Sequence, residues 1–152
     1  QVVPSPKPID VIEQNTVKAL VDNGTVVITV GGGGIPVVRK DGKLYGTPAV
    51  IDKDFASAKL AELLDADMLV ILTAVEKVAI NFGKPDQKAL GEISAAEMQA
   101  YYDQGQFPAG SMGPKVKAAL DFLAAGGERV IITSPEHLKA AINSQGGTHI
   151  TR

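Results

Sequence analysis

Two apolar periods alternate along the chain. Stretches with apolar residues three and four apart are separated by short apolar runs that no charge interrupts, the pattern of amphipathic helices between buried strands. The clearest change of period falls at residues 49–61. Ala49-Val50-Ile51 is an apolar run, Asp52, Lys53 and Asp54 follow, and Phe55, Ala58, Ala61, Leu63 and Leu64 then fall on one helical face. The spacing predicts extended chain running into a helix that ends near Asp65, with Asp52 as its N-cap.

Taken in order, the prolines at 4, 6 and 8 predict an extended start. Asp10 and Glu13 are spaced as a capping box. They open a helix to about Asn23, with Val11, Ile12, Val17, Leu20 and Val21 as its buried stripe and Gly24 as its stop. Residues 25–30 read as a strand covered on both faces. Gly31, Gly32, Gly33 and Gly34 follow directly, and residues 37–45 read as a hairpin turning at Asp41-Gly42. A second buried strand is predicted over 67–73, a short break over 74–77 and a further strand over 78–82. Ser94 and Glu97 form a second capping box, opening a helix to about Asp103. Pro114 is placed at the first position of the next helix, whose apolar face is Val116, Ala119, Leu120 and Leu123 and whose end is Gly126-Gly127. A third buried strand (129–133), a short helix capped by Ser134 and a last strand (148–152) complete the chain. Helical crossovers between buried strands imply an α/β fold with a mainly parallel sheet covered on both faces. With no repeat and no clean linker, one compact unit is expected.

Composition narrows the function. The chain has 152 residues, 45% hydrophobic and 21% charged, with net charge −2. That balance favours neither nucleic acid nor an anionic membrane as partner. No apolar run reaches the length of a membrane span. The absence of cysteine rules out disulfides and thiolate metal sites within these residues and fits a cytoplasmic protein. His137 and His149 are too far apart in sequence to suggest a metal centre, and both read as surface residues. The chain begins at Gln1 without Met and passes at once through Val2-Val3 into a proline-rich segment. That opening is the kind expected inside a longer protein, so a fragment is the reading.

Two lysines stand out. Lys53 and Lys115 both fall in the first turn of a predicted helix, where unpaired N–H groups repel a cation. An anion shared by the two would explain both, and phosphate is the commonest candidate; the alternative for Lys53 is a side chain in solvent beside Asp52. The run Gly31–Gly34 follows a strand, where α/β sheets bind ligands, and its amides suit an anion. It is neither a dinucleotide fingerprint, since Pro36 stands where the third glycine should be, nor a Walker loop, since no Gly-Lys-Ser/Thr follows.

Several stretches together resemble the carbamate kinases of the amino-acid kinase family. They are residues 2–8, Gly31-Gly32-Gly33-Gly34-Ile35-Pro36, residues 49–61, Leu72-Thr73-Ala74-Val75-Glu76-Lys77-Val78 with Asn81-Phe82-Gly83-Lys84-Pro85, and Gly110-Ser111-Met112-Gly113-Pro114-Lys115. They occur in the family's order and span nearly the whole chain. The resemblance implies a three-layer αβα sandwich and phosphoryl transfer between ATP and carbamate, running from carbamoyl phosphate and ADP with Mg²⁺. It implies catalytic roles for Lys115 and Lys53 on the phosphates and for Asp54 in orienting the lysines. It implies that Thr73, Ala74, Val75, Val78, Asn81, Phe82, Gly83 and Pro85 hold adenine and ribose. Met112 and Gly113 would lie beside the nucleotide phosphates, and Gly31, Gly32, Gly33 and Gly34 would line the substrate crevice. Ala74 departs from the aspartate many relatives carry after this threonine, which narrows the subfamily.

The family's N-terminal half, with its own glycine loop, is missing from this sequence. The resemblance therefore implies that residues 1–152 are the C-terminal, nucleotide-binding part, inactive alone. The partners it implies are carbamate or carbamoyl phosphate, the absent half and a second copy in a homodimer. Two other readings stand beside it: a non-catalytic nucleotide-sensing or oligomerisation module of the same family, and an unrelated dehydrogenase, which the missing fingerprint disfavours.

Overall fold

A computed structural model describes residues 2–152. The chain divides into two compact units, 1–64 and 65–152, where the absence of a linker suggested one.

In the first unit, helix α1 spans Gln14–Asp22. The predicted capping box does not form. Asp10 Oδ1 accepts from the Val11 amide and from Gln14 Nε2, and Glu13 occupies the N-cap position without a side-chain bond. The predicted stop does form. Gly24 takes φ +78°, its amide donates to Val21 O, and the Thr25 amide donates to Leu20 O, the two bonds of a Schellman end. Of the predicted stripe only Val17 is buried, while Ile12, Leu20 and Val21 stay exposed. Residues 25–30 form no strand. Their sequence favours one, but a strand exists only against a neighbour, and none pairs with them among the described residues.

The hairpin is as expected. Strands β1 (Val37–Lys40) and β2 (Lys43–Gly46) pair antiparallel with Lys40 opposite Lys43. Asp41 and Gly42 both take positive φ (48° and 75°), the geometry of a type I′ turn. Helix α2 spans Lys53–Leu63, and Asp52 caps it by accepting from the Asp54 amide at 2.8 Å. Of the predicted face Ala58 is buried while Phe55, Ala61, Leu63 and Leu64 are half-buried, and Asp54, Ala56 and Leu60 are the other buried positions. Phe55 instead carries the ammonium of Lys7 over its ring, 4.9 Å from the centroid. The proline segment is tied down by the Val50 amide, which donates to Pro4 O.

The second unit holds the sheet. Strands β3 (Met68–Leu72), β4 (Ala79–Ile80), β5 (Lys88–Ala89) and β6 (Glu92–Ser94) come first. Helices α3 (Ala95–Asp103) and α4 (Met112–Ala124), strand β7 (Arg129–Thr133), helix α5 (Leu138–Ile142) and strand β8 (Thr148–Thr151) follow. The four-stranded sheet has the order β3-β7-β8-β6. β3 with β7 and β8 with β6 are parallel, and β7 with β8 is antiparallel, so the sheet is mixed. Val130, Ile131, Ile132 and Thr133 are all 0% exposed, so both faces of β7 are covered. Among the described residues β4 and β5 pair only with each other, around the 81–87 loop.

The second capping box forms in full: Ser94 Oγ accepts from the Glu97 amide, and the Glu97 carboxylate accepts from the Ser94 amide and hydroxyl. These bonds from Ser94 hold the Glu97 carboxyl below its ordinary range. α4 buries Val116, Ala119, Leu120 and Leu123 as predicted, together with Ala118 and Phe122. It begins earlier than predicted, with Ser111 as N-cap and Pro114 at the third position. Proline is tolerated there because the first-turn N–H groups have no intrahelical acceptor. Ser134 stands at the N-cap of the 3₁₀ turn Pro135–His137 that leads into α5, as predicted, but its hydroxyl pairs with His137 Nδ1 at 2.8 Å and makes no side-chain cap bond. His149 is not a surface residue but lies 7% exposed in β8, its Nε2 2.8 Å from Gly146 O. A middle strand buries whatever residue its register turns inward.

Candidate functional site

Each unit carries part of the predicted set. In the first, the N-cap at Asp52 starts α2 so that Lys53 and Asp54 are its first two residues. Asp54 is 7% exposed, and Lys53 Nζ stands 3.5 Å from its Oδ2 with the lysine side chain largely in solvent. A buried carboxylate needs compensation, which the helix N-terminus and the adjacent ammonium both supply. Lys53 thereby has a carboxylate beside it that offsets its misfit with the helix dipole, while its exposed end can still reach a further anion.

The glycine run makes a turn closed by the Gly33 amide donating to Val30 O. Its members differ. A Cβ on Gly33, whose φ is +113°, would lie 1.8 Å from Ile51 O, whereas Gly31 and Gly32 have nothing within 4 Å. Gly33 is thus required by the chain's own backbone, directly before the N-cap of α2. Gly31 and Gly32 leave their surroundings open.

In the second unit, topology decides which residues meet. β3 and β7 are parallel and end in register, Leu72 opposite Thr133. α4 packs on both strands. A tight end at Gly126-Gly127 joins it to the start of β7, with the Gly127 amide donating to Phe122 O. The helix therefore runs back along the sheet. Its 13 residues cover ~20 Å and the 5 of β7 ~16 Å, so its N-terminus reaches the end at which β3 and β7 finish. Thr73, Ala74 and Val75, which leave β3, and Met112, Gly113 and Lys115, which open α4, share that end. It is the carboxyl end of a parallel pair, where open α/β sheets bind ligands. The first turn of α4, where N–H groups lack intrahelical acceptors, opens at that end, with the Gly113 amide taken by Pro108 O.

The second unit also holds this end in place. The Thr73 amide donates to Thr133 O at 2.8 Å. Gly113 has no room for a side chain, since a Cβ would lie 2.9 Å from Pro108 O, to which its own amide donates. Val78 is fully buried; its amide donates to Thr148 Oγ1 and its carbonyl accepts from Leu90. It anchors the 73–78 loop. Asn81, Phe82, Gly83 and Pro85 form the loop between β4 and β5. Asn81 takes φ +52°, its amide donates to Gln106 Oε1 and its side chain to Asp86. Phe82 leaves its ring exposed, a platform on which a planar base can stack. Thr148 and Gln106 escaped the sequence reading. Thr148 Oγ1 both accepts from Val78 and donates to Leu90 O at 2.6 Å, a long-range tie with no local signal. Among the described residues no group of three or more His, Asp or Glu could hold a metal ion. No helix there is long and apolar enough to cross a membrane.

Residues 1–134 match the Amino acid kinase family. The carbamate kinase of Clostridium perfringens is 54% identical over 153 residues, covering 100% of this chain and 49% of that protein. The carbamate kinase-like protein YqeA of Escherichia coli is 56% identical, covering 99% and 49%. Among solved structures, carbamate kinase from Giardia lamblia bound to AMP-PNP superposes with a TM-score of 0.97 at 47% identity, covering 99% of this chain and 48% of that one. The chain thus spans about half the length of the relatives it matches. Its fold is the α/β fold of these kinases, and the chain belongs to the amino acid kinase family.

Proposed function

We propose that residues 1–152 are the C-terminal, nucleotide-binding part of a carbamate kinase-like enzyme that moves a phosphoryl group between carbamoyl phosphate and ADP. The observation that carries this reading is the shared end of the second unit. There the loop leaving β3 and the first turn of α4, with Lys115, stand at the finish of two parallel strands. Relatives that bear the name carbamate kinase, one of them bound to AMP-PNP, support the same reading.

In this reading the loop of Thr73, Ala74, Val75 and Val78, with Asn81, Phe82, Gly83 and Pro85, holds adenine and ribose. Met112 and Gly113 lie beside the nucleotide phosphates, where the absence of a side chain on Gly113 permits close approach of the backbone. Phosphoryl transfer needs positioning and charge neutralisation more than a covalent partner. Lys115 supplies positive charge to the equatorial oxygens as the phosphoryl passes from the carbamate oxygen to the terminal oxygen of ADP. Lys53 contacts phosphate, and buried Asp54 keeps the lysines charged and oriented. Gly31, Gly32, Gly33 and Gly34 line the substrate side. Mg²⁺ fits as an ion that arrives with the phosphates and needs at most one or two protein carboxylates, and it would offset phosphate charge. The remaining half of the kinase and a second copy are the partners of the complete enzyme, acting in the cytoplasm.

Calorimetry of the chain with MgADP tests the reading. Binding is expected, weaker than in a complete kinase, and at ten times its Kd the ligand should stabilise the fold by ~1.4 kcal/mol. Absence of both heat and thermal shift at millimolar MgADP contradicts it. The chain alone should form no ATP from carbamoyl phosphate; turnover by it would overturn the division of the site between two halves.

A further inference from the structure

Three connectors meet at the carboxyl end of the β3–β7 pair. Residues 73–78 leave β3, and residues 134–137 leave β7. β8 runs antiparallel to β7 with Thr148 opposite Ile132, so Gly146 and Gly147, which lead into it, lie at that end too. The first connector carries a carboxylate, Glu76, to which the proposed reaction gives no role. Its Oε1 lies over Gly146, where a Cβ would come within 2.9 Å of it. Its Oε2 is 3.8 Å from His137 Nε2, and Lys77 Nζ is 4.0 Å from Oε1. Both separations exceed a hydrogen bond.

His137 is fixed on its other side. Its Nδ1 is 2.8 Å from Oγ of Ser134, a buried residue. The Glu136 carboxyl is held below its ordinary range by its own amide and by the Ser134 hydroxyl. A hydroxyl has one hydrogen to give. With that hydrogen on Glu136, Ser134 Oγ accepts from Nδ1–H, and the neutral ring turns the lone pair of Nε2 towards Glu76. A proton added at Nε2 makes that position a charged donor facing a carboxylate. Imidazole is the side chain that makes this change between about pH 8 and pH 5, where carboxylates keep their charge. The other charged groups of these connectors are Lys77 beside Glu76, Glu136 beside His137, and Lys139 in α5. His149 reaches the same glycine turn from the buried side, through Gly146 O.

We propose that His137 is a positioning residue: once protonated it closes on Glu76 and clasps the loop of residues 73–78 to the turn of residues 134–137. The inference deepens the reading of residues 73–78 as the nucleotide loop and rests on that reading for its use, since a loop already held in place loses less freedom when MgADP binds. The two side chains are 49% and 41% exposed, so the clasp is modest, changing the loop's opening about two- to fivefold.

Amide hydrogen exchange at about pH 8 and pH 6 decides it, each rate taken relative to an unprotected amide at the same pH. The Thr73 amide on Thr133 O and the Val78 amide on Thr148 Oγ1 stand at the two ends of the loop, and both are released when it opens. Their protection should rise about two- to fivefold from the higher pH to the lower in the parent chain and stay level in His137→Gln and in Glu76→Gln. Level protection in the parent overturns the proposal. So does a rise that persists in His137→Gln, which assigns the effect to His149, or one that persists in Glu76→Gln. MgADP affinity is read separately. Each Kd is compared with that of His137→Gln at the same pH, because the nucleotide's own phosphate titrates in this range; the parent's advantage should grow as the pH falls. Protection that rises at the lower pH in a chain that binds no MgADP keeps the clasp and removes the nucleotide reading, and MgADP binding with protection indifferent to pH does the reverse.

Discussion

Gly33→Ala is the sharpest structural perturbation the chain offers. The new Cβ would fall 1.8 Å from Ile51 O, and the backbone there sits at φ +113°. A side chain at that φ costs ~1–3 kcal/mol. The clash is with backbone, which cannot rotate away as a flexible side chain can, and overpacking of this kind adds ~1–3 kcal/mol. The sum is about 2–6 kcal/mol, equivalent to a fall in Tm of at least ~4 °C for a chain of this length. Gly31→Ala and Gly32→Ala have open space and ordinary φ, so they should be neutral or stabilising by up to ~1 kcal/mol. Urea unfolding followed by circular dichroism measures all three. A Gly33→Ala variant within ~0.5 kcal/mol of the parent refutes the argument, as does a Gly31→Ala variant that is equally damaged. Either result would mean that the run is kept for mobility rather than for the close approach to Ile51.

Two other outcomes follow from the same reasoning. In a completed enzyme Lys115→Ala should lower kcat by roughly 10²–10³ with little change in KM. Asp54→Asn should cost a similar factor, and the double variant should cost less than the product of the two, because the proposed function gives both residues a role on the same transferring phosphoryl group; steady-state kinetics showing unchanged kcat in Lys115→Ala removes the catalytic assignment. The second outcome concerns Glu97, whose carboxyl the Ser94 hydroxyl and amide hold below its ordinary value. A depressed folded pKa contributes stability above the unfolded value and loses it as pH falls through the folded one. The penalty of Ser94→Ala should therefore be largest near pH 7 and shrink by pH 3, as urea midpoints at the two pH values will report; a pH-independent penalty contradicts the sign.

Most local signals in the sequence survived folding where their partners lie nearby in the chain, the Asp10–Glu13 box being the exception. The Asp41-Gly42 turn, the Asp52 cap, the Ser94–Glu97 box and the glycine ends at Gly24 and Gly126 all depend on residues a few positions apart. Signals that need a distant partner did not. Residues 25–30 have the composition of a strand but no neighbour to pair with, and the stripe of α1 has nothing covering it beyond Val17. β5 and β6, of two and three residues, are too short to show a period and exist only through β4 and β8. The start of α4 was misjudged by two residues because the Gly113 amide finds Pro108 O, a bond no propensity encodes. At the site, the unfavourable placement of Lys53 and Lys115 was legible from helix-dipole reasoning. The burial of Asp54 and the ties through Thr148 and Gln106 were not, since each depends on packing between segments far apart in sequence.

The account stands on where a nucleotide binds, and amide chemical-shift mapping with MgADP measures that directly. The account predicts that titration moves the resonances of Thr73, Ala74, Val75, Asn81, Phe82 and Gly83, together with those of Met112, Gly113 and Lys115 at the start of α4. The amides of α3 and α5 should stay still. Shifts confined to other parts of the chain, or none at millimolar MgADP, would contradict the assignment of the carboxyl end of the β3–β7 pair as the nucleotide site.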